Sequence, residues 1–250
     1  MSVRLELDGN VAHLLIDRAD KRNAFNMAMW QAMPDLFERA ANNTNIKLMI
    51  IRAAQPGGAF CAGADIKELL ANKDDDGWRA ANQAAINRVQ YELARHRLPT
   101  IAFVEGDCVG GGCGIALACD LRVATSNARF GITPAKLGLV YPLHDVKLLT
   151  DLVGPGQAKR ILYTGSLIDA DEARRISLAE FIADSPDELV GEITAASPHS
   201  VRETKRFVQR VLDGQEADDE ETLRIFADAF VGADFLEGMT AFVEKRKAEF

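Results

Sequence analysis

Apolar positions follow a short period at the start of the chain and a longer one soon after. Residues 3–7 alternate apolar and polar side chains, and the apolar run 11–16 follows Asp8-Gly9-Asn10. Together they predict two short strands around an Asp-Gly turn. Met29, Met33, Leu36 and Phe37 then recur at helical spacing, and with Asn26 as a cap they predict a helix to about residue 41. Residues 47–52 read as a buried strand. A loop follows through Pro56-Gly57-Gly58 and Ala62-Gly63-Ala64, and a short helix is expected from near Ile66. Residues 72–77, with three consecutive aspartates, are expected to form a mobile surface segment. A long helix is predicted over 78–96, ended by Leu98-Pro99.

The next apolar run, Ile101-Ala102-Phe103-Val104, predicts a strand, and Glu105-Gly106-Asp107 a turn. Val109-Gly110-Gly111-Gly112-Cys113-Gly114 then opens a helix of small residues, and Leu121-Arg122-Val123-Ala124 reads as another strand. Strands alternating with helices predict α/β layering. Past Thr133 the pattern turns helical. Gly154-Pro155 start one helix, Asp169 caps another, Pro186 opens a third, and Pro198 begins one running to Leu212. The expected organisation is an α/β core over residues 1–185 and a helical segment over 186–250 that packs on the core or on a neighbouring copy.

Composition narrows the chemistry. The net charge of −8 argues against nucleic acid and anionic membrane surfaces as partners. The four cysteines, Cys61, Cys108, Cys113 and Cys119, follow no zinc spacing and read as small core residues of a reducing compartment, so no metal site is expected. No apolar run approaches the ~20 residues of a membrane helix, and the alternating N-terminus does not resemble a signal peptide, so a cytoplasmic location is expected.

Two glycine-rich loops, at Ala62-Gly63-Ala64 and Gly110-Gly111-Gly112, each follow a strand and precede a helix. A helix start carries free N–H groups and the positive end of a dipole, and donors from two such loops are able to hold one developing oxyanion. Lys21, Arg22, Lys67 and the cluster Lys245-Arg246-Lys247 are candidate phosphate ligands, although each alone reads first as a solvated charge. There is no Walker-A loop, no dinucleotide fingerprint and no His-Glu-x-x-His site.

Several stretches in order resemble the enoyl-CoA hydratase/isomerase (crotonase) superfamily. They are Lys21-Arg22-Asn23-Ala24, Phe60-Cys61-Ala62-Gly63-Ala64-Asp65-Ile66-Lys67-Glu68, Gly110-Gly111-Gly112-Cys113, Cys119-Asp120-Leu121-Arg122-Val123-Ala124, Ala128-Arg129-Phe130-Gly131 and Glu237-Gly238-Met239-Thr240-Ala241-Phe242-Val243-Glu244-Lys245-Arg246. The resemblance implies an α/β spiral of ββα units (the crotonase, ClpP-like fold) with a C-terminal helical trimerisation segment, forming trimers or hexamers. It implies an acyl-CoA thioester substrate, with coenzyme A carried by the substrate rather than held as a cofactor. It implies Ala62 and Gly111 as oxyanion donors, and Lys21, Arg22, Ala24, Ala62, Ala64, Asp65 and Ile66 along the CoA. Phe242 and Lys245 are implied to reach the CoA of a neighbouring subunit.

The pattern breaks where a hydratase of this family keeps two glutamates: Gly114 and Pro134 stand at those positions. Neither transfers a proton, and general acid–base groups are worth ~10²–10⁴-fold each. Efficient hydration is therefore not expected. The segment Thr133-Pro134…Leu137-Gly138…Tyr141 is similar to that of methylmalonyl-CoA decarboxylases, which makes Thr133 and Tyr141 candidate catalytic residues, with malonyl-type decarboxylation or thioester cleavage as alternatives. Ala64 and Gly114 depart from that branch as well. His144 and Asp145 read first as the opening turn of a helix, and Cys113 as a packed turn residue. A catalytically silent acyl-CoA-binding protein is the alternative of another class.

Overall fold

Successive strands of the chain are dealt out to two sheets, in a computed structural model that describes residues 2–250. β1 (Val3–Asp8) and β2 (Val11–Ile16) form the expected antiparallel hairpin. α1 (Met27–Asn42) begins after Asn26, whose side chain accepts from the Met29 N–H. β3 (Leu48–Ala53) and α2 (Ile66–Ala71) follow. α3 (Asp76–Ala94) starts two residues before the expected Trp78, because the Asp75 side chain accepts from the Trp78 N–H at 2.8 Å. The end of the supposed mobile segment is thus the first turn of a helix.

From here the ββα rhythm is plain. β4 (Thr100–Val104) lies in the large sheet, β5 (Asp107–Val109) in the small one, and α4 (Gly111–Ala118) follows. β6 (Leu121–Ala124) and β7 (Arg129–Gly131) repeat the division before α5 (Leu143–Thr164). Asp107, expected in a turn, therefore opens a strand, and residues 129–131 form one that the sequence pattern did not predict. β8 (Ile168–Asp169), α6 (Ala170–Arg175), β9 (Phe181–Ile182), α7 (Asp187–Ala195), α8 (Pro198–Leu212), α9 (Glu220–Ala229) and α10 (Ala233–Glu244) complete the chain.

The large sheet has the order β1-β2-β3-β4-β6-β9 and the small one β5-β7-β8. All five residues of β4 are buried, as a parallel strand covered on both faces requires. One face packs on α1, α3 and α4 through Trp30, Met33, Phe37, Val89, Leu93 and Ile115. The other meets Leu189, Val190 and Ile193 of α7, the first helix beyond residue 185. Among the described residues no helix is long and apolar enough to cross a membrane.

The far end of α4 is closed by a buried cation. Arg122, 1% exposed, donates from Nη1 to the carbonyls of Cys119 (2.8 Å) and Ala116 (3.3 Å) and from Nε to that of Leu178 (3.0 Å). It also pairs with Glu180. A positive charge at a helix C-terminus answers its dipole, and removing one partner of a buried pair leaves the other without compensation. Arg122→Met is expected to cost about 3–5 kcal/mol of stability, measured as the shift in urea unfolding.

Candidate active site

Backbone pairing pins the two glycine loops against each other. The Cys61 N–H donates to the Asp107 carbonyl (3.0 Å) and the Val109 N–H to that of Cys61 (2.8 Å). One turn on, the Phe25 N–H donates to Gly63 and the Asp65 N–H to Phe25, both at 2.8 Å. Gly63 has φ +102° and Gly110 φ +54°, conformations that disfavour a side chain. A Cβ on Gly63 would lie 3.2 Å from the Val109 carbonyl and 3.8 Å from the Gly111 nitrogen, so the loops cross with only backbone between them. The Trp30 ring backs Gly111 from the core side, 3.2 Å from where a Cβ would stand.

Within this frame the Ala62 N–H, expected as an oxyanion donor, is already used: it donates to the Arg22 carbonyl at 3.0 Å. The spare donor of that loop is two residues on. Among the described residues, neither the Ala64 N–H nor the Gly111 N–H has a hydrogen-bond partner. Gly111 is the first residue of α4, where free N–H groups are inherent. The Tyr141 hydroxyl donates to the Gly110 carbonyl at 3.0 Å. That carbonyl and the Gly111 N–H belong to one peptide unit, so the bond polarises the Gly111 donor in the direction an oxyanion needs.

A second cluster fills the space beside Gly114. A Cβ there would overlap the Gln90 amide nitrogen and come within 3.0 Å of Asp145 Oδ2 and 3.1 Å of the Tyr141 hydroxyl. Gln90 is fully buried on α3 and Asp145 is 1% exposed on the first turn of α5. Among the described residues, the polar side-chain atoms of both lack a partner with hydrogen-bond geometry. Burial raises the Asp145 carboxyl to about 7, outweighing the opposing pull of Gln90 and Tyr141 beside it. Burial also pushes the Tyr141 phenol well above its ordinary range. His144 Nδ1 stands 3.6 Å from Asp145 Oδ1, outside hydrogen-bond reach, and burial lowers its pKa, helped by Arg95 and Lys147.

Asp145 is thus the residue that sequence reading undervalued. It does sit in a helix's first turn, but facing the core. The available signal was its spacing of four from Tyr141, together with a glutamine inside the apolar stripe Ile86, Val89, Leu93 of α3. Pro134 opens a 3₁₀ turn to Leu137, and the hydroxyl of Thr133 makes no bond to Tyr141 or Asp145. Three of the buried thiols are poor nucleophiles: burial pushes Cys61 and Cys119 up to about 12 and Cys108 well above the ordinary thiol range.

The expected CoA residues are dispersed around this centre. Lys21 is exposed at the end of a 3₁₀ turn, and Arg22, also exposed, is paired with Asp107, which Arg129 holds from the other side at 2.7 Å. The Ala24 carbonyl accepts from Arg18 Nη1 (2.8 Å). Asp65 caps α2 and pairs with Arg18 at 2.8 Å, which holds its carboxyl below the usual range, and Ile66 is exposed beside it. Phe242 is exposed near the end of α10, where Lys245 terminates the helix. In the tail cluster, Arg246 is neutralised by Glu237 and Glu244, which leaves Lys245 and Lys247 as its cations.

Residues 6–250 match the family described as enoyl-CoA hydratase/isomerase. The chain belongs to this family. As a member of the enoyl-CoA hydratase/isomerase family, it is 33% identical over 258 residues to the short-chain-enoyl-CoA hydratase of Clostridium acetobutylicum, covering 99% of this chain and 97% of that protein. It is 34% identical to the crotonyl-CoA hydratase of Syntrophomonas wolfei, covering 100% of this chain and 97% of its relative. The crystal structure of a putative enoyl-CoA hydratase/isomerase family protein from Hyphomonas neptunium superposes with a TM-score of 0.95 at 38% identity, over 100% of this chain and 97% of that one. The fold is therefore the crotonase fold, and within it Gly114 packs where a longer side chain has no room. Gly114→Ala is expected to cost about 1–3 kcal/mol by overpacking. In combination with Gln90→Ala the loss should fall below the sum of the single losses, measured by urea unfolding.

Proposed function

We propose that this member of the family binds an acyl-CoA thioester and stabilises its enolate between the N–H groups of Ala64 and Gly111. The observation that carries the reading is a pair of unused backbone donors on two loops that cross at Gly63, one of them at a helix N-terminus. Donors fixed before the reaction need no reorganisation as charge develops, and losing one costs ~10²–10³ in rate. Lys21, Arg22 and, from a neighbouring copy, Lys245 supply cations for the CoA phosphates, and coenzyme A arrives as part of the substrate.

Likeness to hydratases makes crotonyl-CoA hydration the first substrate to try, but Gly114 and Pro134 supply no acid or base to activate water. The reaction is therefore one that makes or uses the enolate without a pair of carboxylates. Loss of CO₂ from a malonyl-type thioester is a second reading: C–C cleavage leaves the enolate directly. It is favoured by the buried Tyr141, which braces the Gly110–Gly111 peptide. The protein should be incubated with crotonyl-, 3-enoyl-, methylmalonyl- and butyryl-CoA in D₂O, with products and deuterium at the α-carbon followed by mass spectrometry. Exchange into butyryl-CoA with slow hydration is expected. Rapid hydration would overturn the weight given to Gly114 and Pro134, and tight binding without exchange or product would favour a silent acyl-CoA-binding protein.

We further propose a trimer-based assembly. Leu223, Phe226, Phe230, Val231, Leu236 and Phe242 are exposed on and between α9 and α10, more apolar surface than a monomer comfortably leaves to water. Sedimentation should report a trimer or hexamer, and Phe226→Asp should lower the mass.

A further inference from the structure

Buried polar groups normally find partners, and leaving one unmet costs stability. The Gln90 amide and the Asp145 carboxyl are both buried and both unmet among the described residues, on two different helices that converge at one point. That point is defined by Gly114, three residues after Gly111 and so on the same face of α4, one turn along. Tyr141 links the two places, with its oxygen 3.1 Å from the Cβ position of Gly114 and its one proton committed to the Gly110 carbonyl. With that proton committed, the phenol has none to give Asp145, and burial governs the state of the carboxyl.

We propose that Asp145 is the proton-transfer group of this active site, acting from α5 on the enolate held one helical turn away. The assignment rests on the reading of Ala64 and Gly111 as the enolate's donors. In the forward step the Asp145 O–H bond breaks and a C–H bond forms at the α-carbon from the enolate's electron pair. The thioester carbonyl is restored and Asp145 is left as a carboxylate, which regains a proton from water. In the reverse step the carboxylate removes the α-proton. One carboxyl alone serves a substrate class that needs one proton carried at a time: a 3-enoyl thioester undergoing a 1,3-shift, or the enolate left when CO₂ departs.

The groups facing Asp145 leave this proton under its own control. α3 contributes the neutral Gln90 amide. The segment before α5 contributes Tyr141, α4 contributes Cys113 facing that phenol, and α5 itself contributes His144. The Tyr141 phenol stays protonated and the lowered His144 stays neutral near pH 7. The carboxyl itself titrates at about 7, where an acid–base group works best.

The test compares wild type with Asp145→Asn and Asp145→Glu, following deuterium exchange into butyryl-CoA and conversion of 3-enoyl-CoA and methylmalonyl-CoA against pH. Asp145→Asn should lower kcat by ~10²–10⁴ with KM within about threefold, Asp145→Glu should restore part of the loss, and the wild-type break near pH 7 should vanish in Asp145→Asn. A stability measurement tests the protonated state of the Asp145 carboxyl apart from turnover. The folded protein keeps this proton up to about 7, whereas an unperturbed carboxyl releases it near 3.8. Folding therefore takes up a proton between those values, and wild-type stability falls as pH rises through the window. Asp145→Asn lacks that contribution, so its melting temperature should gain on wild type from pH 4 to 7 and hold the lead above. Exchange that persists in Asp145→Asn with an unchanged pH profile overturns the assignment alone. Absence of exchange and of product in the wild type overturns the enolate reading and this assignment with it.

Discussion

The site depends on two stretches of backbone meeting with nothing between them. At Gly63 and Gly110 the loops cross so closely that a single Cβ on Gly63 would press on the Val109 carbonyl. Every neighbouring feature follows from that approach. The pairing of Cys61 with Cys108 and of Phe25 with Ala64 fixes which amides are consumed and which stay free. The Trp30 ring holds Gly111 from behind, and Arg122 answers the dipole of α4 at its other end. Donors held this rigidly select for charge that appears during a reaction, because they gain nothing by moving toward a neutral ground state.

Much of this was legible along the chain. The hairpin, the Asn26 cap, the glycine stretch and the starts of the helices at Pro186 and Pro198 follow from local turn and capping chemistry. Short strands did not announce themselves. β5, β7, β8 and β9 are two or three residues long and exist only because neighbouring strands supply the partners, which no local period encodes. The donor in the first glycine loop was misplaced by two residues for a related reason. Which of the Ala62 and Ala64 amides is free is decided by the Arg22 carbonyl and Phe25, forty residues away in sequence. Asp145 reads along the chain as a helix-start aspartate, which it is, whereas its burial depends on how α3 and α5 pack.

With Asp145 as the proposed proton-transfer group, stability and reactivity pull against each other around Gly114. An isolated buried carboxyl beside an unmet amide is a poor way to build a core, and an apolar pair of the same volume would fold better. Proteins retain such arrangements where they confer chemistry that packing alone cannot. Gly114 belongs to the same bargain, since Gln90, Tyr141 and Asp145 occupy the room its side chain would take.

α5 carries one more consequence. Gly154 sits at φ 73° and ψ 163° inside it, and Pro155 next to it has no N–H to give, so the helix is two rods end to end. Leu149 anchors the first rod and Ala158 and Ile161 the second, each by its own buried contacts. A break in the hydrogen-bond ladder interrupts the transmission of strain. The placement of the turn bearing Asp145 is therefore set by the contacts of the first rod rather than by those of the second.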